Sequence, residues 1–179
     1  MKKILCILTF LTIQYAAPCQ IKVGSIIAAK ELNLTSVNQT KIDRSKIIVL
    51  IFWATWCHPC IASFPHLADI QWSFQKKVQI IAVSDEPEIK VLNFLNKRKF
   101  ALDFFMDGSK KLFNLFNIES RPLSAVVTQD GKLQWVGNSS DLELVLNEVV
   151  YGKGDINSLK FKIDNSNEKY YSATLSNPL

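Results

Sequence analysis

Apolar residues run through this chain in blocks of changing period, and each block predicts an element. The segment KIIVLIFWA, Lys46 to Ala54, is a continuous β-branched and aromatic run, the pattern of a central strand buried on both faces. From His58 to Phe74, the residues Ile61, Phe64, Leu67, Ala68 and Trp72 recur at three- and four-residue spacing, which predicts a helix with Pro65 kinking it. VQIIAVS, Val78 to Ser84, is a second buried strand. PEIKVLNFLNKRK, Pro87 to Lys99, reads as an amphipathic helix with Pro87 in its first turn. ALDFFMD is a short strand or extended segment, and SKKLFNLFNI a short helix. LSAVVTQDGKLQWVG, Leu123 to Gly137, gives two strands around the turn pair Asp130-Gly131. A last helix is expected over Asp141 to Val150, with Leu142, Val145, Leu146 and Val149 on one face. Near the start, short apolar stretches between Ile21 and Asn38, such as GSIIAAKELNL, suit an edge strand or a hairpin. A βαβ beginning joined to a ββα finish predicts an α/β domain, a central mixed β-sheet flanked by helices.

Two segments fall outside this plan. Lys2 and Lys3 precede an apolar run from Ile4 to Ile13 and a small-residue exit, Ala16-Ala17-Pro18-Cys19. That is the pattern of a secretory signal peptide over residues 1–19, with a buried N-terminal helix or strand as the structural alternative. The run is short for a bilayer span, which takes about 20 residues. Cleavage after Cys19 gives a soluble exported chain, whereas lipidation of Cys19 gives an anchored one. Residues 151–179 are polar, with only SLKFKID alternating like a strand, and read as a C-terminal extension. The folded domain is then 21–150.

Composition adds little. A chain of 179 residues, 48% hydrophobic and 21% charged, has the makeup of an ordinary globular domain. The net charge of +5 drops by two without Lys2 and Lys3. No basic block with interleaved aromatics is present, which argues against a nucleic-acid partner.

The cysteines carry the chemistry. Of the 4, Cys6 and Cys19 lie in the leader, which leaves Cys57 and Cys60 in the motif IFWATWCHPC. Half of a zinc site is one reading, but only His58 and His66 remain as further ligands where structural zinc uses four. A static disulfide is a second, although so small a loop constrains the unfolded chain little. The third is a redox dithiol, for which a CxxC between a strand and a helix is the signature. There the first thiol faces unpaired backbone N–H groups and the positive end of the helix dipole, both of which stabilise thiolate. The second thiol, a turn further in, resolves the mixed disulfide.

VLIFWATWCHPC with Pro65 beyond it, IASFPHL, IAVSDE and TQDGKLQWVG together resemble the thioredoxin superfamily, in particular its exported TlpA/ResA-like branch. The resemblance spans about Ile21 to Val150. It implies a thioredoxin-like fold and thiol–disulfide oxidoreductase activity outside the cytoplasm, with Cys57 attacking and Cys60 resolving. It implies a cis-proline at Pro122 beside the cysteines, placing the substrate backbone. It implies no organic cofactor, a disulfide-containing protein as substrate, and a membrane thiol–disulfide carrier for recycling. Reduction is the direction most of that branch takes, for example toward haem-binding cysteines in cytochrome c maturation.

The chain also departs from the family pattern. Many thioredoxins carry an Asp where this chain has Ile51. That Asp moves protons for the buried Cys, and the ResA-like branch uses instead a Glu after the next strand, which points to Glu86 as the catalytic acid, with Asp85 and Glu88 as neighbours in register; the alternative is an acidic helix start. Trp56, His58, Pro59 and Arg121 are candidates for redox tuning or substrate contact. Arg121 either faces Cys57, favouring its thiolate, or points to solvent. The rival function is copper handling through Cys57 and Cys60, which would want a third soft or imidazole ligand.

Overall fold

A computed structural model describes residues 21–152. The leader at 1–19, with Cys6 and Cys19, and nearly all of the C-terminal extension lie outside the described residues. Six strands form one sheet: β1 (Thr35–Ser36), β2 (Ile47–Phe52), β3 (Val78–Ser84), β4 (Asp103–Met106), β5 (Leu123–Val127) and β6 (Leu133–Gly137). Their order is β1-β4-β3-β2-β5-β6. The three inner strands β2, β3 and β4 run parallel, while β5, β6 and β1 pair antiparallel, so the sheet is mixed as the element order predicts. Four helices complete the fold: α1 (His58–Phe74), α2 (Glu88–Leu95), α3 (Lys111–Leu115) and α4 (Leu142–Tyr151).

The apolar run of β2 explains its central place. All six residues are buried, and they alternate between two cores. Ile47, Val49 and Ile51 face one cluster with Phe64 and Leu67 of α1, Val91 of α2 and Leu146 of α4. Ile48, Leu50 and Phe52 face the other, with Leu112 and Phe113 of α3. Alternation along a strand sends successive side chains to opposite faces. The sequence LSAVVTQDGKLQWVG closes as the predicted hairpin. Gly131 takes φ +83, and a Cβ there would lie 2.9 Å from the carbonyl oxygen of Ile27.

Three expectations are corrected. The expected edge strand between Ile21 and Asn38 is β1, but it lies at Thr35–Ser36, after the apolar segment Gly24–Leu34, which forms no strand of its own beyond the bridge from Ile26 to Lys132. That segment holds a single 3-10 turn, Ala29–Leu32, and pairs by backbone with the β5–β6 hairpin, through Gly24 N–H to Leu133 O and Ile27 N–H to Gly131 O. Helix α2 starts after Pro87, which is its N-cap, and stops at Leu95. The following basic residues turn tightly, with Lys97 N–H bonded to Phe94 O and Arg98 N–H to Leu95 O. In α1 the buried face is Phe64, Leu67, Ile70 and Phe74, whereas Trp72 is 74% exposed. Pro65 sits on the exposed side of α1 without ending it. Its missing N–H costs one helical bond, and the ladder continues on either side.

Candidate dithiol–disulfide active site

The two cysteines stand where β2 hands over to α1. Trp53 N–H donates to Val83 O at 3.1 Å, which holds the chain beside β3 one residue past the strand. Cys57 N–H then donates to Ala54 O at 3.0 Å, closing a turn, and the Cys57 carbonyl accepts the first helical bond from Ile61 at 3.1 Å. Cys57 is thus the N-cap of α1, and its sulfur accepts the Cys60 N–H at 3.3 Å. A Ser or Asp oxygen does this work in most helices. Pro59 falls in the first turn, where a missing N–H leaves nothing unsatisfied. The cysteines are joined by a disulfide with their Cα atoms 5.3 Å apart. Cys57 retains 3% exposure and Cys60 none. His58 and Pro59 are exposed between them.

Other loops meet the cysteines because they leave the same end of the sheet. The carboxyl ends of β2, β3 and β4 and the amino end of the antiparallel β5 bring together Trp53–Cys57, Asp85–Glu86, Asp107–Lys110 and Arg121–Pro122. Ligands of parallel α/β sheets gather at this end for the same topological reason. The Arg121–Pro122 peptide bond is cis, as the resemblance implies. Ile51, where many relatives carry Asp, is fully buried in the apolar cluster that holds both cysteines.

Glu86 reaches back under the cysteine loop. One carboxylate oxygen accepts the Thr55 N–H at 2.6 Å; the other accepts the Thr55 hydroxyl at 3.1 Å and the Lys90 ammonium at 2.6 Å. Burial pushes this carboxyl up, but the bonds from Lys90 and Thr55 outweigh it and hold its pKa below the ordinary glutamate value. Glu86 is therefore an anion at neutral pH that fixes Thr55, two residues before Cys57. A group whose pKa is depressed by folding contributes stability above its unfolded pKa, about 4.3, and loses it as the pH falls through the lower folded value. Glu86→Gln is expected to cost about 1.5–3 kcal/mol at neutral pH, the worth of hydrogen bonds to a charged group. The gap to wild type should narrow on acidification below about pH 4. Denaturant unfolding across that range checks this; a gap independent of pH would refute it.

Of the two alternatives that the sequence left open for Arg121, the structure contradicts the solvent-facing one. Its side chain is 12% exposed, so it does not point to solvent, and its Nη2 donates to Asp85 Oδ1 at 2.7 Å. Asp85 also pairs with Lys110 at 3.4 Å. The guanidinium carbon lies 5.4 Å from the Trp56 ring centre and 4.8 Å from that of Phe113. Thr55, Asp85, Lys90, Lys110 and Phe113 were not predicted as partners of the site residues. The spacing of Glu86 and Lys90, four apart with the acid first at a helix start, is a readable ion-pair signal. Nothing local links Asp85 to Arg121. Among the described residues no group of three His, Cys, Asp or Glu side chains could hold a metal ion, so His58 and His66 supply no third ligand to the cysteines there. No helix among them is long and apolar enough to cross a membrane.

A model of the AhpC/TSA family matches residues 23–136. The chain is 30% identical over 119 residues to the thiol-disulfide oxidoreductase ResA of Bacillus thuringiensis, a match covering 62% of this chain and 69% of that one. Among solved structures, the thioredoxin domain of a thiol-disulfide oxidoreductase from Bacteroides vulgatus superposes with a TM-score of 0.62 at 19% identity, covering 73% of this chain and 99% of that one. An exposed lipoprotein thioredoxin from Streptococcus pneumoniae gives 0.59 at 23% identity, covering 64% and 96%. These structural matches show a thioredoxin-like fold.

Proposed function

The chain belongs to the AhpC/TSA family and is a thiol–disulfide oxidoreductase, and we propose that it works as a reductant of protein disulfides outside the cytoplasm. The observation that carries this reading is the Cys57 sulfur in the N-cap position, 3.3 Å from the Cys60 N–H. In the reduced protein the same N–H and the helix dipole favour the Cys57 thiolate over the thiol. That thiolate attacks one sulfur of a substrate disulfide. A bond forms between Cys57 and that sulfur, the substrate S–S bond breaks, and the departing thiolate takes a proton. Cys60 then loses its proton and attacks the Cys57 sulfur, which releases the second substrate thiol. Two electrons pass to the substrate, and the enzyme finishes as the Cys57–Cys60 disulfide.

Within this reading Pro122 lies against the bound substrate backbone. Glu86 keeps Thr55 and the turn before Cys57 in place, and Trp56, His58, Pro59 and Arg121 form the contact surface around the sulfur. A membrane thiol–disulfide carrier returns two electrons after each turnover. The leader at 1–19 takes the chain to the periplasm or cell envelope, where Cys19 is the point at which a lipid anchor would attach. Residues 21–150 are the working domain and 151–179 an extension. Haem-binding cysteines awaiting cytochrome c assembly are the substrates that fit the ResA-like resemblance. The direction is tested by equilibrating the protein with redox buffers of known potential. A value nearer −270 than −120 mV, the poise of thioredoxin rather than of a strong oxidant, is expected, and a value near −120 mV overturns the reductive reading.

A further inference from the structure

Arg121 stands at a junction that the reaction steps above do not use. It immediately precedes Pro122, and its guanidinium lies against Trp56, which immediately precedes Cys57. Trp56 is 56% exposed, an unusual position for so large an apolar ring. An indole left to itself at a surface samples several rotamers, and each binding event would have to arrest it. A guanidinium over an aromatic face contributes about 0.5–2 kcal/mol, enough to select one rotamer. Two groups fix that guanidinium in turn. Asp85 takes Nη2, the Phe113 ring lies 4.8 Å from its carbon, and its Nε is buried with no hydrogen-bond partner, so it is tied at one end only and packed elsewhere. Lys110, on the other oxygen of Asp85, keeps that carboxylate paired even if Arg121 is lost.

Resting on the proposed reduction of protein disulfides, we propose that Arg121 is a positioning residue: anchored by Asp85 and Phe113, it holds the Trp56 indole beside Cys57 as a plate on which an apolar or aromatic residue next to the substrate's disulfide docks. The specificity that follows is for peptide disulfides with such a neighbour over small aliphatic disulfides. Because Asp85 stands against the guanidinium, the pair presents a small field to the sulfur, and the arginine acts through the ring more than through its charge.

The test uses the full protein and two probes, a peptide bridged by one disulfide with tyrosine beside the cystine, and hydroxyethyl disulfide. Arg121→Gln should raise KM for the peptide roughly three- to tenfold, with peptide turnover falling relative to hydroxyethyl disulfide by a similar factor. Arg121→Lys should not rescue it, since an ammonium lacks the planar fork that both stacks and pairs. Trp56→Ala should give a similar loss, and the double variant should be no worse than either single one, since both remove one coupled contact. Arg121→Gln with Asp85→Asn removes the ion pair at nearly constant charge, and should raise KM while leaving the Cys57 thiolate titration close to that of wild type. Independently of turnover, the Trp56 indole N–H should show faster motion by ¹⁵N relaxation in Arg121→Gln. Additive losses, equal losses on both probes, or an indole as rigid in the variant as in wild type would overturn the proposal. A wild-type protein that reduces neither probe would instead overturn the reductive reading, with the indole relaxation still deciding the brace.

Discussion

Cys60→Ser is expected to trap the protein on its substrates as a mixed disulfide, while Cys57→Ser forms no such adduct. The asymmetry follows from position. Cys57 caps the helix with its sulfur accepting the Cys60 N–H, and it keeps the little exposure that the pair has. Cys60 lies a turn inside α1 with no exposed surface, in the apolar cluster with Phe64 and Trp53. A buried thiol in apolar surroundings ionises reluctantly, so the second step proceeds only because Cys60 is tethered beside the mixed disulfide. Without it, the covalent intermediate has no internal route to release. Turnover should fall by about a thousandfold or more in both variants, as when any member of a unit acting together is removed. Non-reducing gels of each variant mixed with an oxidised protein substrate decide the point. Adducts on Cys57→Ser, or none on Cys60→Ser, would reverse the assignment. Limiting alkylation of the reduced wild type should label Cys57 before Cys60, which checks the same order without a substitution.

Trp53→Ala is expected to be the most damaging change to the fold itself, at about 3–5 kcal/mol. Trp53 follows β2 directly and is fully buried. Its ring meets Phe64 at 5.2 Å, Phe104 at 5.3 Å and Phe94 at 5.7 Å between centroids, joining α1, β4 and α2. Edge-on and tilted aromatic contacts of this kind add to the area that burial removes from water. Truncation leaves a cavity lined by three rings from three elements, which cannot all close on it. For a domain of this size the loss corresponds to a fall in Tm of roughly 10–20 °C. The indole Nε1 is buried with no hydrogen-bond partner, so Trp53→Phe should cost clearly less, since packing is lost but no polar contact. Thermal unfolding of the two variants gives the comparison. Equal losses would mean that the N–H, and not the ring, matters here. The same cluster holds both cysteines, so the alanine variant should also lose part of its exchange activity at temperatures where it remains folded.

Strands β2 to β6 were legible from their apolar residues, whereas β1, the polar pair Thr35–Ser36, was not. KIIVLIFWA reads as a strand buried on both sides without any knowledge of its neighbours, and the motif after it fixes where a helix must start. The face of α1 was less so. Trp72 fits the helical spacing as well as Ile70 or Phe74 does, and only the position of the sheet decides which of them is covered. The segment Gly24–Leu34 misleads for a similar reason: its apolar residues are real, but its backbone partners are the turn of a hairpin far along the chain. In the site, the cysteines and Pro122 stand in short patterns that local sequence displays. Glu86 was visible as an acid near the right strand, though not its grip on Thr55. Arg121 was visible only as an oddity. Its partner Asp85 is 36 residues away, and no periodicity connects two loops that leave β3 and β5, the strands on either side of β2, at the same end of the sheet.

The place of β2 in the sheet has a consequence for the order in which the protein is made. Its residues pair on one side with β3, the next strand in sequence, and on the other with β5, where Ile48 meets Val127 and Phe52 meets Leu123. A chain emerging from its amino end can form the β2–α1–β3 unit early, whereas the second edge of β2 waits for residues that come far later. Until they arrive, that edge shows open N–H and C=O groups, a template for pairing with another chain. Contacts of such long separation are the slow ones in folding. Cys57 and Cys60 meanwhile stand at the end of a half-built sheet, already close enough to join, with Pro122 not yet beside them. A chain folding in this order brings Cys57 and Cys60 together before Arg121 and Pro122 reach the same end of the sheet.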